Sequence, residues 1–135
     1  MMGFKLNRNR SGRIAESGNI KKKHKFKIVH KDLEEGVVGE AMHGGKIAID
    51  KDVKKGSHLY KRAVAHESLH AKELAEGKID YGKDYIRDGN KTYHRQTRNG
   101  KDMVKYNGKW VEVGTSSGPN ALPWEKRAVK AEKNA

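Results

Sequence analysis

Cysteine is absent from the chain. Its absence excludes disulfides and thiolate metal sites and leaves the redox compartment unread. Long apolar runs are also missing: no segment approaches the ~20 residues that span a bilayer. The first residues are basic but are not followed by an apolar stretch, so no secretory signal is expected. These absences point to a protein without a membrane segment, cytoplasmic or virion-associated. Apolar residues are sparse too, at 34% against 35% charged, so a small core under a heavily solvated surface is expected. A length of 135 residues suits one domain with a tail.

What is abundant is positive charge, a net +13, and it is unevenly placed. Residues 1–31 carry ten basic side chains and one acid, Glu16, whereas the remainder carries 20 basic and 16 acidic groups. Residues 1–22, polar and basic with Gly and Ser, read as a flexible arm ahead of a domain spanning 23–135. Such an arm suits non-specific contact with nucleic acid through phosphate neutralisation, or tethering to a larger assembly such as a phage particle.

Alternation and β-branching predict strands over 24–30 (HKFKIVH), 37–42 and 46–50 (KIAID), with His43-Gly44-Gly45 breaking the last two apart. Ser57 is a candidate N-cap and Gly77 a candidate stop, bracketing a helix over 58–76. On it Leu59, Tyr60, Ala63, Val64, His66, Glu67, His70, Ala71 and Leu74 share one face, opposite Lys61, Arg62, Ala65, Ser68, Lys72 and Glu76. Hairpins are expected across 83–113, turning at Asp88-Gly89-Asn90, Asn99-Gly100 and Asn107-Gly108. A closing helix is expected over 121–132, with Pro123 in its first turn. The class is therefore α+β, a small, mostly antiparallel sheet with a β-hairpin insert. Trp110 and Trp124 are candidate core anchors. His24, His30 and His58 read as surface or strand residues, and His43 beside Gly-Gly as a cleft-lining candidate.

His66-Glu67-Ser68-Leu69-His70 has the pattern H-E-x-x-H. Residues four apart on a helix sit one turn above each other, so both imidazoles can reach one Zn2+ ion. Glu67 projects beside the pair, where it can act as general base on the water that attacks a carbonyl. A catalytic zinc site needs a third protein ligand. Candidates are Glu73, His94, Glu125 and Glu132, with His43 as an outsider. Glu73 lies about 10 Å along the axis from His66, too far for the same ion without a helix break. Glu125, in Leu-Pro-Trp-Glu-Lys-Arg-Ala, could be presented rigidly by the closing helix.

GKIAID, AVAHESLHAKEL and LPWEKRAVKAE in this order resemble minimal gluzincin-type metallopeptidase domains of bacteria and phages, over roughly residues 40–132. The resemblance implies a zincin-like fold and zinc held by His66, His70 and Glu125, with Glu67 as base. It also implies a peptide or protein substrate, taken up as an extended chain on KIAID acting as an edge strand. Tyr93, His94 and Tyr106 are candidates for steadying an oxyanion. His70 is followed by Ala-Lys-Glu, so the metzincin pattern is absent, and His94 in YHRQ matches poorly the third-ligand His of SprT-like proteases. The rival expectation is a non-enzymatic structural or nucleic-acid-associated protein that keeps a zinc site.

Overall fold

The structure, a computed structural model, describes residues 3–6 and 26–134. In chain order the strands β1 (Gly3–Leu6), β2 (Lys27–Lys31), β3 (Val37–Met42) and β4 (Lys46–Asp50) precede helix α1 (His58–Ala75). The strands β5 (Ile79–Tyr81), β6 (Tyr85–Asp88), β7 (Lys91–Arg98), β8 (Lys101–Tyr106) and β9 (Lys109–Glu112) follow, and α2 (Pro123–Glu132) closes the chain.

The first sheet has the order β1-β3-β4-β2. β3 and β4 form an antiparallel hairpin across His43-Gly44-Gly45, where both glycines take positive φ. β1 and β2 flank them in parallel. Two expectations are corrected here. This sheet is mixed, not mostly antiparallel, because its outer strands come from upstream and return by crossover. KIAID is not an edge strand, because β2 and β3 take both of its backbone edges. The arm expected over 1–22 also contains a strand, Gly3–Leu6; its other residues lie outside those described, as do its proposed nucleic-acid contacts and His24.

The second sheet is an antiparallel meander, β5-β6-β7-β8-β9. Its β7–β8 and β8–β9 turns place Asn99 and Asn107 at positive φ (53° and 52°), which Asn tolerates better than most residues.

Ser57 caps α1, its Oγ accepting from the Tyr60 N–H at 3.1 Å. The helix stops at Gly77, in left-handed conformation (φ 78°), with Gly77 N–H bonded to Leu74 O and Lys78 N–H to Glu73 O. Pro123 opens α2, where its missing N–H costs nothing.

Two apolar clusters result. Val38, Ile47 and Ile49 of the first sheet pack with Val53 and with Ala63 and Ala71 of α1. Ile79, Tyr81, Ile86, Val104, Val111 and Val113 pack around Leu122 and Trp124 at the start of α2, with Leu74 of α1 against them. Trp124 is shut off from solvent and is a core anchor; truncating such a side chain typically costs ~3–5 kcal/mol. Trp110 is not: it lies half-exposed on the far face of β9, beneath Arg98 and Lys105. No helix among the described residues is long and apolar enough to cross a membrane.

Candidate metal centre

α1 and α2 run antiparallel, as their side-chain pairs require. Glu125, at the start of α2, meets His66 and His70, and Glu132, two turns later, meets His66 and Arg62. The inner face of α1 thus buries polar groups rather than a purely apolar stripe: His66, Glu67 and His70 are each at 0% exposure, as is Glu125 opposite them.

The Nε2 atoms of His66 and His70 converge on one oxygen, Glu125 Oε1, at 2.9 and 3.3 Å. The two rings stand nearly edge to face, with centroids 5.0 Å apart and planes at 75°. Each of the three residues offers a ligand atom, all within 4.8 Å of one another. Two ligands at ~2.0–2.1 Å around a tetrahedral ion are separated by about 3.3 Å. The spacing therefore fits a small divalent ion once the shorter contact opens by a few tenths of an ångström. The unmet polar groups fit this too. Glu125 Oε2, His70 Nδ1 and both oxygens of Glu67 are buried with no hydrogen-bond partner among the described residues.

His66 is held from behind. Its Nδ1–H donates to Glu132 Oε2 at 2.5 Å, and Arg62 donates from Nε and Nη2 to the other Glu132 oxygen, both at 3.2 Å. A carboxylate at Nδ1 fixes the tautomer and leaves Nε2 for a metal. Without a metal, Nε2 must carry a proton to bond Glu125. Accordingly, although burial pulls the His66 pKa down, hydrogen bonding and charge from Glu125, then Glu132, raise it overall. Burial pushes Glu125 up, but His70 and His66 outweigh it and hold Glu125 at about 2. Glu67 has no such help: burial, then repulsion from Glu125, Glu40 and Glu132, drive its pKa well above the ordinary value. Glu67 packs on β3 over Gly39, where a Cβ would lie 3.1 Å from Glu67 Cγ.

The other candidates lie elsewhere. His94 is exposed on β7, paired in register with Tyr85, and is not in the cluster. Glu73 is claimed by Arg127, at 2.8 and 2.9 Å, and Arg127 also bonds Asp88. Glu132 stands behind His66 rather than in the group. His43 contacts Asp80 at 3.2 Å and tilts over Tyr81. Tyr93 and Tyr106 pack on each other, and Tyr93 on Trp124, inside the second core. His58 is exposed, and His30, exposed on β2, stacks on Tyr60.

Sequence reasoning missed the backing role of Glu132, the Arg127 clamp and the clearance at Gly39. The first had a signal: Glu132 is seven residues after Glu125, on the same stripe of α2, as Arg62 is four before His66 on α1. Comparison with protein-family models, with curated proteins and with solved structures finds no match to this chain.

Proposed function

We propose that this chain is a zinc-dependent hydrolase of peptide bonds, with His66, His70 and Glu125 as metal ligands and Glu67 as general base. The observation that carries the reading is the convergence of two imidazole Nε2 atoms and a carboxylate on one buried point, with a carboxyl one residue along the same helix that has no partner among the described residues. Zinc, when bound, supplies a Lewis acid that polarises a carbonyl and makes nearby water more acidic. Glu132 and Arg62 keep the His66 ring oriented. In the metal-free chain burial and the neighbouring carboxylates favour the neutral form of Glu67, and the field of a dication would favour its ionised form, in which it can accept a proton and return it to the leaving amine. Because β4 is paired on both sides, an extended substrate would have to be held elsewhere than on KIAID.

A second reading is a metal site that serves stability or assembly alone, including assembly into a particle. The complete burial of all four residues favours it, since substrate has to reach a catalytic ion.

Zinc content and cleavage of an unfolded casein substrate separate the two. The enzyme reading expects about one zinc per chain in wild type and in Glu67→Gln, with cleavage in wild type only and no zinc in Glu125→Ala. Wild type that holds zinc but cleaves nothing leaves the structural reading. Wild type that takes up no zinc ends both.

A further inference from the structure

The inner face of the β-meander is spoken for by the second core, but among the described residues its outer face is exposed and basic. Alternation along the strands makes this face legible. In register, Arg95 pairs with Val104 and Val104 with Val111, and all three are buried. The residues between them must therefore point outward. By the same ladder Lys105 sits opposite Trp110, and Arg98 opposite Lys101. Arg98, Lys101 and Lys105 are exposed, as are His94 and Gln96 on β7.

The charges on the two faces are treated differently. Inward-facing Arg95 is neutralised by Asp102, with contacts of 3.0 and 2.7 Å. Two of the outward cations, Arg98 and Lys105, gather over an aromatic ring instead. The Arg98 guanidinium carbon lies 4.6 Å from the Trp110 centroid, and Lys105 Nζ lies 5.8 Å from it. Arg98 otherwise bonds the neutral Gln96 at 3.1 Å. One acid, Glu112, shares the outer face of β7–β9, opposite Met103. A large, half-exposed indole among three cations on a twisted sheet combines a stacking platform with phosphate-neutralising charge.

We propose that the outer face of β7–β9 is a binding surface for single-stranded nucleic acid, with Arg98, Lys101 and Lys105 on the phosphates and Trp110 stacking a base. A single strand fits better than a duplex, because its bases are free to lie on the ring. The surface is separate from the metal cluster and does not depend on what that cluster does. The first 25 positions of the sequence are rich in basic residues as well, and the test has to distinguish the two.

The test titrates the full chain with fluorescein-labelled oligothymidylate and with a duplex of the same length, by anisotropy, across a range of salt. Arg98→Ala/Lys105→Ala and Trp110→Ala are compared with wild type. Lys101→Ala/Lys105→Ala serves as a second charge variant should loss of the Arg98–Trp110 contact disturb the sheet, as circular dichroism would reveal. Wild type is expected to prefer the single strand. Trp110→Ala should weaken binding about tenfold. The double charge variants should lower the slope of log affinity on log salt by about 1.4, two contacts at ~0.7 each for single strands. Iodide quenching of Trp110 should fall on binding, with buried Trp124 as internal reference. Absence of binding overturns the proposal. So does affinity unchanged by all three variants, which would assign binding to the N-terminal residues. Equal competition by polyglutamate also overturns it, because it would leave charge without stacking.

Discussion

Two charged networks cross the seam between α1 and α2, and they differ in whether their demands are met. Near the end of α1, Arg127 donates from Nε, Nη1 and Nη2 to both oxygens of Glu73 and both of Asp88. Earlier along α1, beside His66, the residues Glu67 and His70 together with Glu125 bury four atoms that find no partner among the described residues. Burying a polar group without a hydrogen bond costs ~1–3 kcal/mol. A clamp whose donors and acceptors all pair needs no further explanation than stability. A cluster that leaves several groups unpaired and points three ligand atoms at one place has unmet demands that a bound ion would satisfy, and that is the ground of the proposed metal site.

If that contrast is right, the largest effect is metal-dependent stabilisation confined to one network. Zinc at about 1,000 times its dissociation constant should add about 4 kcal/mol to wild-type stability. It should add little to His70→Ala or Glu125→Ala, each of which removes a ligand. Thermal melts with and without zinc measure it. A zinc shift of the same size in Glu125→Ala would sink the assignment of this carboxylate.

Arg127→Ala tests the other side. It leaves Glu73, 5% exposed, with only Lys78 at 4.0 Å as a cation, and should destabilise the chain by about 3 kcal/mol, the low end for breaking a buried pair. The increment gained from zinc should stay as in wild type, because Glu73 and Asp88 share no atoms with the cluster. Loss of the zinc increment in this variant would mean that the networks act as one unit. Urea midpoints at fixed pH give both numbers.

Why one network was readable in the residues and the other was not has a physical reason. H-E-x-x-H is local: the four-residue spacing alone stacks His66 on His70. Glu125 lies on the first turn of a helix announced by Pro123. Caps and turns were equally local, so Ser57, Gly77, Asn99-Gly100 and Asn107-Gly108 marked their elements. The Arg127 clamp joins residues 54 and 39 positions apart, and no spacing rule links them. The parallel pairing of β1 with β3 and β2 with β4 is of the same kind, set by tertiary contacts that leave no local periodicity. Trp110 is a different failure. The core-anchor expectation rested on its bulk; Val111 and Val113 point inward, so the strand's alternation turns Trp110 outward.

Acid–base behaviour sharpens the contrast further. The folded pKa of His66 is raised above 6.5, so its contribution is complete below 6.5 and is lost as pH rises through the folded value. Glu67 is also raised, from 4.5, and its contribution disappears in the same direction. Glu125 is lowered to about 2, so its contribution is present above 4.5 and is lost as pH falls from there toward 2. Metal-free protein should therefore be most stable near pH 4.5, where the Glu125 contribution is nearly complete and the Glu67 contribution begins to be lost, and should weaken further above 6.5 as that of His66 goes too. A metal takes the place of the proton on His66 Nε2, so the zinc increment should instead grow over that rise. Melting temperatures across the range, with zinc and with chelator, are the measurement. Parallel curves would mean that the cluster does not exchange protons for metal.

The smallest expected effect probes the contact that sets Glu67 apart. Gly39 takes no positive φ; what β3 uses there is the absence of a side chain. A Cβ would come within 3.1 Å of Glu67 Cγ, 3.3 Å of Glu67 Oε2 and 3.3 Å of Ile49 Cδ1, so the helix or the carboxyl has to give way. Gly39→Ala should cost about 1 kcal/mol, at the low end for overpacking, since a carboxyl can rotate where a packed methyl cannot. Most of that cost should vanish when Glu67 is also Ala, giving a coupling of about 1 kcal/mol in a double-mutant cycle. The zinc increment should be unchanged, because His66, His70 and Glu125 approach from α1 and α2 and not from β3. If the cycle gives no coupling, the strand does not hold Glu67 in place. Its burial would then follow from the helix alone, and β3 would have no part in setting the position of the proposed base.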